Sequence, residues 1–166
     1  MVFRYVVIAT GFGWVGAVGS KKGLVFLTLP KLSHRTVLSE IKEFLGDSIE
    51  DPSAFGDLPS RIKRYFEGKR VTFTDKLDLS GTTVFQQAVW NVTRTIPYGE
   101  TRSYAWIASQ AESPRASRAV GGALARNRFP IIVPCHRVIA SDGSLGGFSG
   151  GLALKKRLLE LEAAWL

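Results

Sequence analysis

The chain carries one cysteine, Cys135, so no internal disulfide framework is available and the thiol is there for packing, for reactivity, or for both. With only two histidines, His34 and His136, to accompany it, a zinc site is not expected. Long apolar runs are missing as well. The N-terminal apolar stretch Val2 to Ala9 is short, contains Arg4 and leads into glycines rather than a small-residue cleavage site, which reads as a strand and not as a signal. No apolar run approaches the roughly 20 residues that a membrane helix needs, so a reducing, cytoplasmic location with no membrane partner is expected. Lysine is absent from one long stretch. Between Arg94 and Arg137 there are seven arginines, no lysines, and only Glu100 and Glu112 as acids. That composition suits planar, forked contacts to phosphate, and on charge alone it suits a solvated basic surface equally well.

What is present is a globular composition. The 166 residues are 45% hydrophobic and 22% charged, enough for one full domain or a domain with a small companion, and the net charge is +8. Up to Asp78 there are 12 basic and 9 acidic residues, and after it 10 and 5.

From Val2 to Pro30, β-branched runs broken by Gly11, Gly13, Gly16, Gly19 and Gly23 predict a small antiparallel meander. Ser33 is placed to cap a helix carrying Val37, Leu38, Ile41, Phe44 and Leu45, with Gly46 as its stop. A second helical piece, Pro59 to Glu67, ends at Gly68, and Val71 to Leu79 reads as a connection. The second half changes character. Thr83 and Gln86 form a capping-box pattern ahead of a helix over Val84 to Thr93 with a Phe85, Val89, Val92 stripe, and Ile96-Pro97-Tyr98-Gly99 is a turn. Segments Ser103 to Ala111 and Pro114 to Arg126, with Ser113 as the expected cap and Pro114 at the first helical position, predict a helix-turn-helix. The second of these helices is rich in Ala and Gly with arginines at 115, 118 and 126. Small residues there serve either close packing on a neighbouring helix or close approach to a DNA groove. A glycine loop, Gly143 to Gly151 with Phe148-Ser149 at its centre, precedes a last helix over Leu152 to Ala164 with Leu154, Leu158 and Leu161 on its apolar side.

The sharpest feature is Pro134-Cys135-His136-Arg137-Val138. A lone cysteine in an apolar context is more often a small buried hydrophobe than a nucleophile. Here it adjoins a histidine and an arginine, neighbours that lower a thiol's pKa. Consecutive residues of a strand face opposite sides, so Cys135 and His136 need a turn or a bridging water to cooperate, and Pro130 and Pro134 are placed to supply the turn. A histidine base needs an orienting acceptor, and the acids downstream are Asp142, Glu160 and Glu162.

Ile96-Pro97-Tyr98-Gly99-Glu100, Ser103-Tyr104, Arg118-Ala119-Val120-Gly121-Gly122-Ala123, Asn127, Pro134 to Val138 and Ser149-Gly150-Gly151, in this order and spacing, resemble the O6-alkylguanine-DNA alkyltransferase family, also called methylated-DNA–protein-cysteine methyltransferases. The resemblance covers about residues 80 to 166 and is weak before them. It implies an α+β chain: residues 1–78 as a small ribonuclease H-like domain with an antiparallel sheet and helices, and residues 79–166 as a mainly helical domain with the helix-turn-helix. It further implies a monomer that takes an alkyl group from O6-alkylguanine in double-stranded DNA, once and irreversibly, onto Cys135, with no cofactor.

By the same resemblance His136 is the base acting through a water and Glu162 its orienting carboxylate, Glu160 lying off the spacing. Tyr104 meets the flipped guanine and Asn127 braces the turn before the thiol. Val138, Phe148, Ser149 and Lys155 belong to the base pocket. Arg118 fills the gap left in the stack, and Arg102, Ser103, Ala119 and Gly121 meet the minor groove. Phe148 stands where many members have tyrosine, so a pocket hydroxyl is missing and a different range of alkyl groups is implied. The zinc-binding residues of some larger members are absent, and no metal is expected. Three other readings stay open: an alkylated-DNA sensor without transfer, a helix-turn-helix regulator, and a cysteine hydrolase.

Overall fold

The computed structural model describes residues 2–163. The chain divides into two compact units, Met1–Leu79 and Ser80–Leu166.

In the first unit the β-branched runs form β1 (Arg4–Thr10), β2 (Gly13–Ser20) and β3 (Gly23–Leu27), which with the short β4 (Ile49–Glu50) make one sheet of order β3-β2-β1-β4. β1 and β2 pair antiparallel from Arg4 opposite Gly19 to Thr10 opposite Gly13. The Thr10 hydroxyl closes their turn, donating to the Gly13 carbonyl at 2.7 Å and accepting from the Phe12 amide at 3.1 Å. Inward alternation puts Val6 and Ile8 of β1 in the core. Two helices cover the sheet residues: α1 (His34–Glu40) buries Val37, and α2 (Leu58–Phe66) buries Leu58, Ile62, Tyr65 and Phe66. Ser33 caps α1 as its sequence position predicts, accepting from the Thr36 amide at 3.1 Å.

Two differences from the sequence reading appear in this unit. The first helix stops at Glu40 and gives way to a 3-10 turn over Lys42–Phe44. β4 runs parallel to β1, which a meander does not contain. Both are short features that hydrophobic periodicity does not resolve.

The second unit is mainly helical, with α3 (Val84–Thr93), α4 (Tyr104–Gln110), α5 (Ser117–Ala125) and α6 (Leu152–Leu161). The capping box at α3 is complete: Thr83 Oγ1 accepts from the Gln86 amide at 3.0 Å, and Gln86 Oε1 accepts from the Thr83 amide at 3.1 Å. Trp90 on α3 is buried edge-on to Phe129, and its indole N–H donates to the Ala123 carbonyl of α5 at 3.0 Å. A two-residue strand before α4, β5 (Arg102–Ser103), pairs in parallel with β6 (Val138–Ile139). This pair was not expected from sequence, and it brings the start of α4 beside the segment that follows Cys135.

The start of α5 also differs. The helix begins at Ser117, with Ala116 as a cap residue that makes no side-chain bond, three residues later than Pro114 predicts. The cause lies at the end of α4. Glu112 adopts a left-handed φ of 61°, the Glu112 amide donates to Ser109 O, and the Ser113 amide donates to Ala108 O. That is the Schellman closure of α4, so Ser113 finishes one helix instead of opening the next. The last helix ends at Leu161, with Glu162 as its cap, and the expected end at Ala164 lies outside the described residues. Its buried face is Lys155, Leu158, Leu159 and Glu162, and Leu154 and Leu161 are only half-buried. Among the described residues no helix is long and apolar enough to cross a membrane.

Gly16 of β2 lies flush against α1: a Cβ built there would sit 2.4 Å from Val37 Cγ1 and 3.4 Å from Thr28 Cγ2. Gly16→Ala is expected to destabilise the first unit by about 1–3 kcal/mol through overpacking, read as a lower midpoint in urea unfolding; an unchanged midpoint would show that the helix yields freely.

Candidate active site around Cys135

The site is built on the irregular segment between α5 and β6. Asn127, just past α5, ties this segment to itself: its side-chain oxygen accepts from the Phe129 amide at 2.9 Å and its Nδ2 donates to the Val133 carbonyl at 2.9 Å. Within that loop the Val133 amide donates to Phe129 O at 2.8 Å, and buried Ile131 is held at φ 75°. A β-branched residue in the left-handed region carries strain of order 1–3 kcal/mol, tolerated only because its surroundings fix it. Pro134 then leads into a single 3-10 turn, Cys135–Arg137. The turn that cooperation between Cys135 and His136 requires is therefore present, and it is helical.

Cys135 is buried and free of any disulfide, and forms part of the wall of a cavity of about 540 Å³. Tyr104, Arg118, Gly121, Phe148 and Ser149 share that wall. So do Ser117, Leu124, Ala125 and Gly147, which the sequence reading did not single out. Helical spacing alone marks the first three of these, since they fall on the same face of α5 as Arg118 and Gly121. Val138 is not on the wall: it is fully buried in β6, and its carbonyl accepts from Lys155 Nζ at 2.6 Å.

The rest of the Lys155 ammonium is also spent on backbone, donating to Leu145 O and, at 2.9 Å, to Gly147 O. Lys155 thus sits behind the wall as a clamp on the glycine loop, and burial lowers its pKa to about 8. Its Nζ also lies 5.8 Å from the centre of the Tyr104 ring. The clamped loop packs on that ring. Gly146 has a φ of 72°, and a Cβ there would fall 2.8 Å from Tyr104 Cε2. The Tyr104 hydroxyl donates to Gly147 O at 3.3 Å and accepts from its amide at 3.2 Å.

α5 has a packed side and an exposed side, and small residues stand on both. Its packed side is Val120, Ala123 and Leu124, while Arg118 and Ala119 are exposed. A Cβ on Gly121 would meet nothing within 4 Å. Glycine there is not imposed by helix packing. Two other residues expected at the groove are engaged locally. Ser103 caps α4 by accepting from the Trp106 amide at 3.0 Å, and Arg102 pairs with Glu100 at 2.9 Å while lying over the Trp106 ring.

Behind Cys135 lies a buried polar network. Glu162 is 3% exposed, and its Oε2 is 2.7 Å from His136 Nε2. Arg137 forks onto the same carboxylate, Nε to Oε1 at 2.8 Å and Nη2 to Oε2 at 3.1 Å, and sends Nη1 to the Ile96 carbonyl at 2.7 Å. The Gly99 amide donates to Oε1 at 3.2 Å. Burial pushes the Glu162 carboxyl up, but the bonds and charges of His136 and Arg137 outweigh it and hold the group well below the usual carboxylate range. Of the three downstream acids, Glu162 is the one brought to His136; Asp142 instead closes a local turn on Ser144.

The electrostatics of the thiol reverse the sequence expectation. Burial pushes the Cys135 thiol up, and the partial offsets come from a hydrogen bond with Asn127 and from the charge of Lys155. Arg137 does not serve the thiol, because its fork is committed to Glu162. Burial also pushes the His136 ring below the ordinary imidazole range, against the pull of Glu162 and with the help of Arg137 and Lys155. Burial thus disfavours the charged form of both the thiol and the imidazole in the resting site.

Comparison with known proteins agrees in both units. Residues 3–79 match the family described as 6-O-methylguanine DNA methyltransferase, ribonuclease-like domain, and residues 84–164 match the DNA binding domain of the same name. A methylated-DNA–protein-cysteine methyltransferase of Mycobacterium leprae is 49% identical, over 78% of this chain and 82% of that one. One of Methanosarcina barkeri is 43% identical over 95% of this chain and 96% of its own length. The crystal structure of Mycobacterium tuberculosis OGT in complex with DNA superposes with a TM-score of 0.80 at 42% identity, covering 97% of this chain and 93% of that one. A chain whose two halves match the two halves of one family, and which aligns along most of its length with relatives that share one name, is a member of the 6-O-methylguanine DNA methyltransferase family.

Proposed function

We infer that the protein repairs DNA by direct, irreversible transfer of an alkyl group from O6-alkylguanine to Cys135, one group per molecule. The observation that carries this reading is a buried cysteine in the wall of a cavity of about 540 Å³, bordered on one side by the exposed, small-residue face of α5 with Arg118. Double-stranded DNA bearing the lesion is the partner, and the protein acts on it as a monomer in the cytoplasm. The division near residue 79 separates a ribonuclease-like domain from the domain that binds DNA and performs transfer.

The base leaves the duplex before chemistry, at a cost of a few kcal/mol that Arg118 offsets by filling the vacated stack. Ala119 and Gly121 let the backbone of α5 come close to the minor groove, with Arg102 and Ser103 at its edge. Phe148, Ser149 and Tyr104 receive the flipped guanine, and Val138 and Lys155 support that pocket from behind. His136, oriented by Glu162, takes the thiol proton through a bridging water, and Asn127 keeps the sulfur in place. The sulfur attacks the alkyl carbon, a C–S bond forms as the C–O bond breaks, and the electron pair departs on guanine. The proton lost by the thiol balances the one the guanine anion takes up. A thioether has no group beside it able to reverse it, so the reaction ends after one turn. A cysteine inside the cavity argues against the sensor reading, because a sensor needs no nucleophile there.

Mixing the protein with an O6-methylguanine duplex and measuring intact mass is expected to give a gain of one methyl, mapped to Cys135, that stops at one equivalent and is absent in Cys135→Ala. Binding without a mass change would support the sensor, and neither binding nor transfer would reopen the hydrolase. A second expectation concerns the clamp. Lys155→Met removes the ammonium from the carbonyls of Val138, Leu145 and Gly147, leaving Gly147 O only the longer bond from the Tyr104 hydroxyl, and transfer in a single turnover is expected to slow by about 10–100-fold while duplex affinity is kept. An unchanged rate would mean that the glycine loop needs no anchor.

A further inference from the structure

We infer that Arg137, together with the Ile96–Gly99 turn, is a positioning device for the transfer reaction: it fixes Glu162 as a carboxylate so that His136 is presented neutral, with its proton on Nε2 and its Nδ1 lone pair available. This inference rests on the alkyl-transfer reading above, yet its main readout does not require transfer to occur.

The argument is one of donor and acceptor accounting. A protonated carboxyl can donate to an imidazole nitrogen, whereas an ionised one only accepts. Both oxygens of Glu162 already accept from Arg137, Oε1 from Nε and Oε2 from Nη2, and Oε1 accepts from the Gly99 amide as well. The one acceptor site these donors leave is the Oε2 lone pair facing His136, and the guanidinium bound across both oxygens keeps that site unprotonated, so Glu162 stays ionised. His136 Nε2, 2.7 Å from Oε2, must then be the donor. In a neutral ring the other nitrogen is the acceptor, the form a proton-accepting base requires.

Charge completes the argument. With no guanidinium, a buried carboxylate beside an imidazole would draw a proton onto the ring and make a buried imidazolium, which cannot accept another. Arg137 cancels the charge of Glu162 through a bidentate fork that lysine cannot reproduce. The other titratable groups around the ring are Cys135 in the same turn and Lys155 from α6, and Lys155 likewise opposes a charged ring.

The turn fixes the fork in space. Ile96 O takes the free arm of the guanidinium, the Tyr98 ring lies 5.8 Å below it, and the Tyr98 hydroxyl donates to Leu161 O at 3.4 Å. Gly99, at φ 81°, is where a Cβ would stand 3.1 Å from the Glu162 carbonyl. The Ile96-Pro97-Tyr98-Gly99 motif, to which the reaction otherwise assigns no task, thereby acquires one.

With only two histidines in the chain, the ring nitrogens can be read directly by 15N NMR, His34 serving as an exposed internal reference beside Trp14. The wild-type protein is expected to show His136 neutral and protonated on Nε2 at pH 7; an Nδ1–H tautomer or a charged ring would overturn the proposal without recourse to any variant. In Arg137→Gln the charging of His136 is expected to move to higher pH by about one pH unit or more. Single-turnover methyl transfer at pH 6–7 is expected to fall by about tenfold or more and to recover as pH rises. Arg137→Lys, which keeps the charge, should leave the ring neutral and restore part of the rate. A ring titration unchanged in Arg137→Gln, or a rate loss equal at all pH values, would reduce Arg137 to a structural residue. Failure of the wild-type protein to transfer methyl at all would instead strike the functional reading, leaving the ring spectra to judge this one.

Discussion

Glu162 joins three stretches of chain that are far apart in sequence: the turn at 96–99, the 3-10 turn that carries Cys135, and the end of α6. Its carboxylate is buried, and it is bound by a guanidinium, an imidazole and a backbone amide. Pairs of this kind contribute little net stability over well-packed apolar residues, because desolvating the ions costs about what their attraction returns. Removing one partner is a different matter, costing about 3–5 kcal/mol, since a charge is left buried without compensation. The arrangement is therefore best understood as fixing geometry. It holds the imidazole beside the thiol in one orientation and one charge state.

The remainder of the site is held by the same means, with polar side chains committed to backbone. Asn127 spans the loop in which Ile131 is kept left-handed, and Lys155 spends its ammonium on three carbonyls around the glycine loop. An apolar residue at either place would leave those backbone groups unpaired and the chain free to move. The consequence is a cavity whose wall is set in advance. Cys135 sits in it with its thiol protonated by burial, and reactivity waits for a base and a substrate.

The sequence made much of this legible, and the gaps have physical causes. The three antiparallel strands of the first unit were visible in their β-branched runs, though the short β4 was not, and the caps at Ser33 and Thr83 in residues whose side chains have one efficient use at a helix start. The Pro-Cys-His-Arg run located the thiol. Hydropathy misread α6, because its inner face carries Lys155 and Glu162, residues buried only when partnered, and such partners lie elsewhere in the chain. Adjacency misread Arg137, placed beside Cys135 along the chain but turned away from it by the 3-10 turn. Ser113 satisfied the pattern for an N-cap but was taken by the Schellman closure of α4, and two-residue parallel strands such as β5 and β6 leave no periodic trace at all.

The most direct test of the central role given to Glu162 is the pH dependence of stability of the second unit, measured by urea unfolding followed through NMR resonances of residues 80–163. A carboxyl held below its unfolded value of 4.5 contributes stability that is complete above that pH and is lost as pH falls below it toward the folded value. The account predicts that the wild-type protein weakens steadily as pH falls from 5 to 3, and that Glu162→Gln is less stable at neutral pH and has lost much of that slope. Equal slopes in the two proteins would contradict it, because the carboxylate would then carry no special burden in the fold.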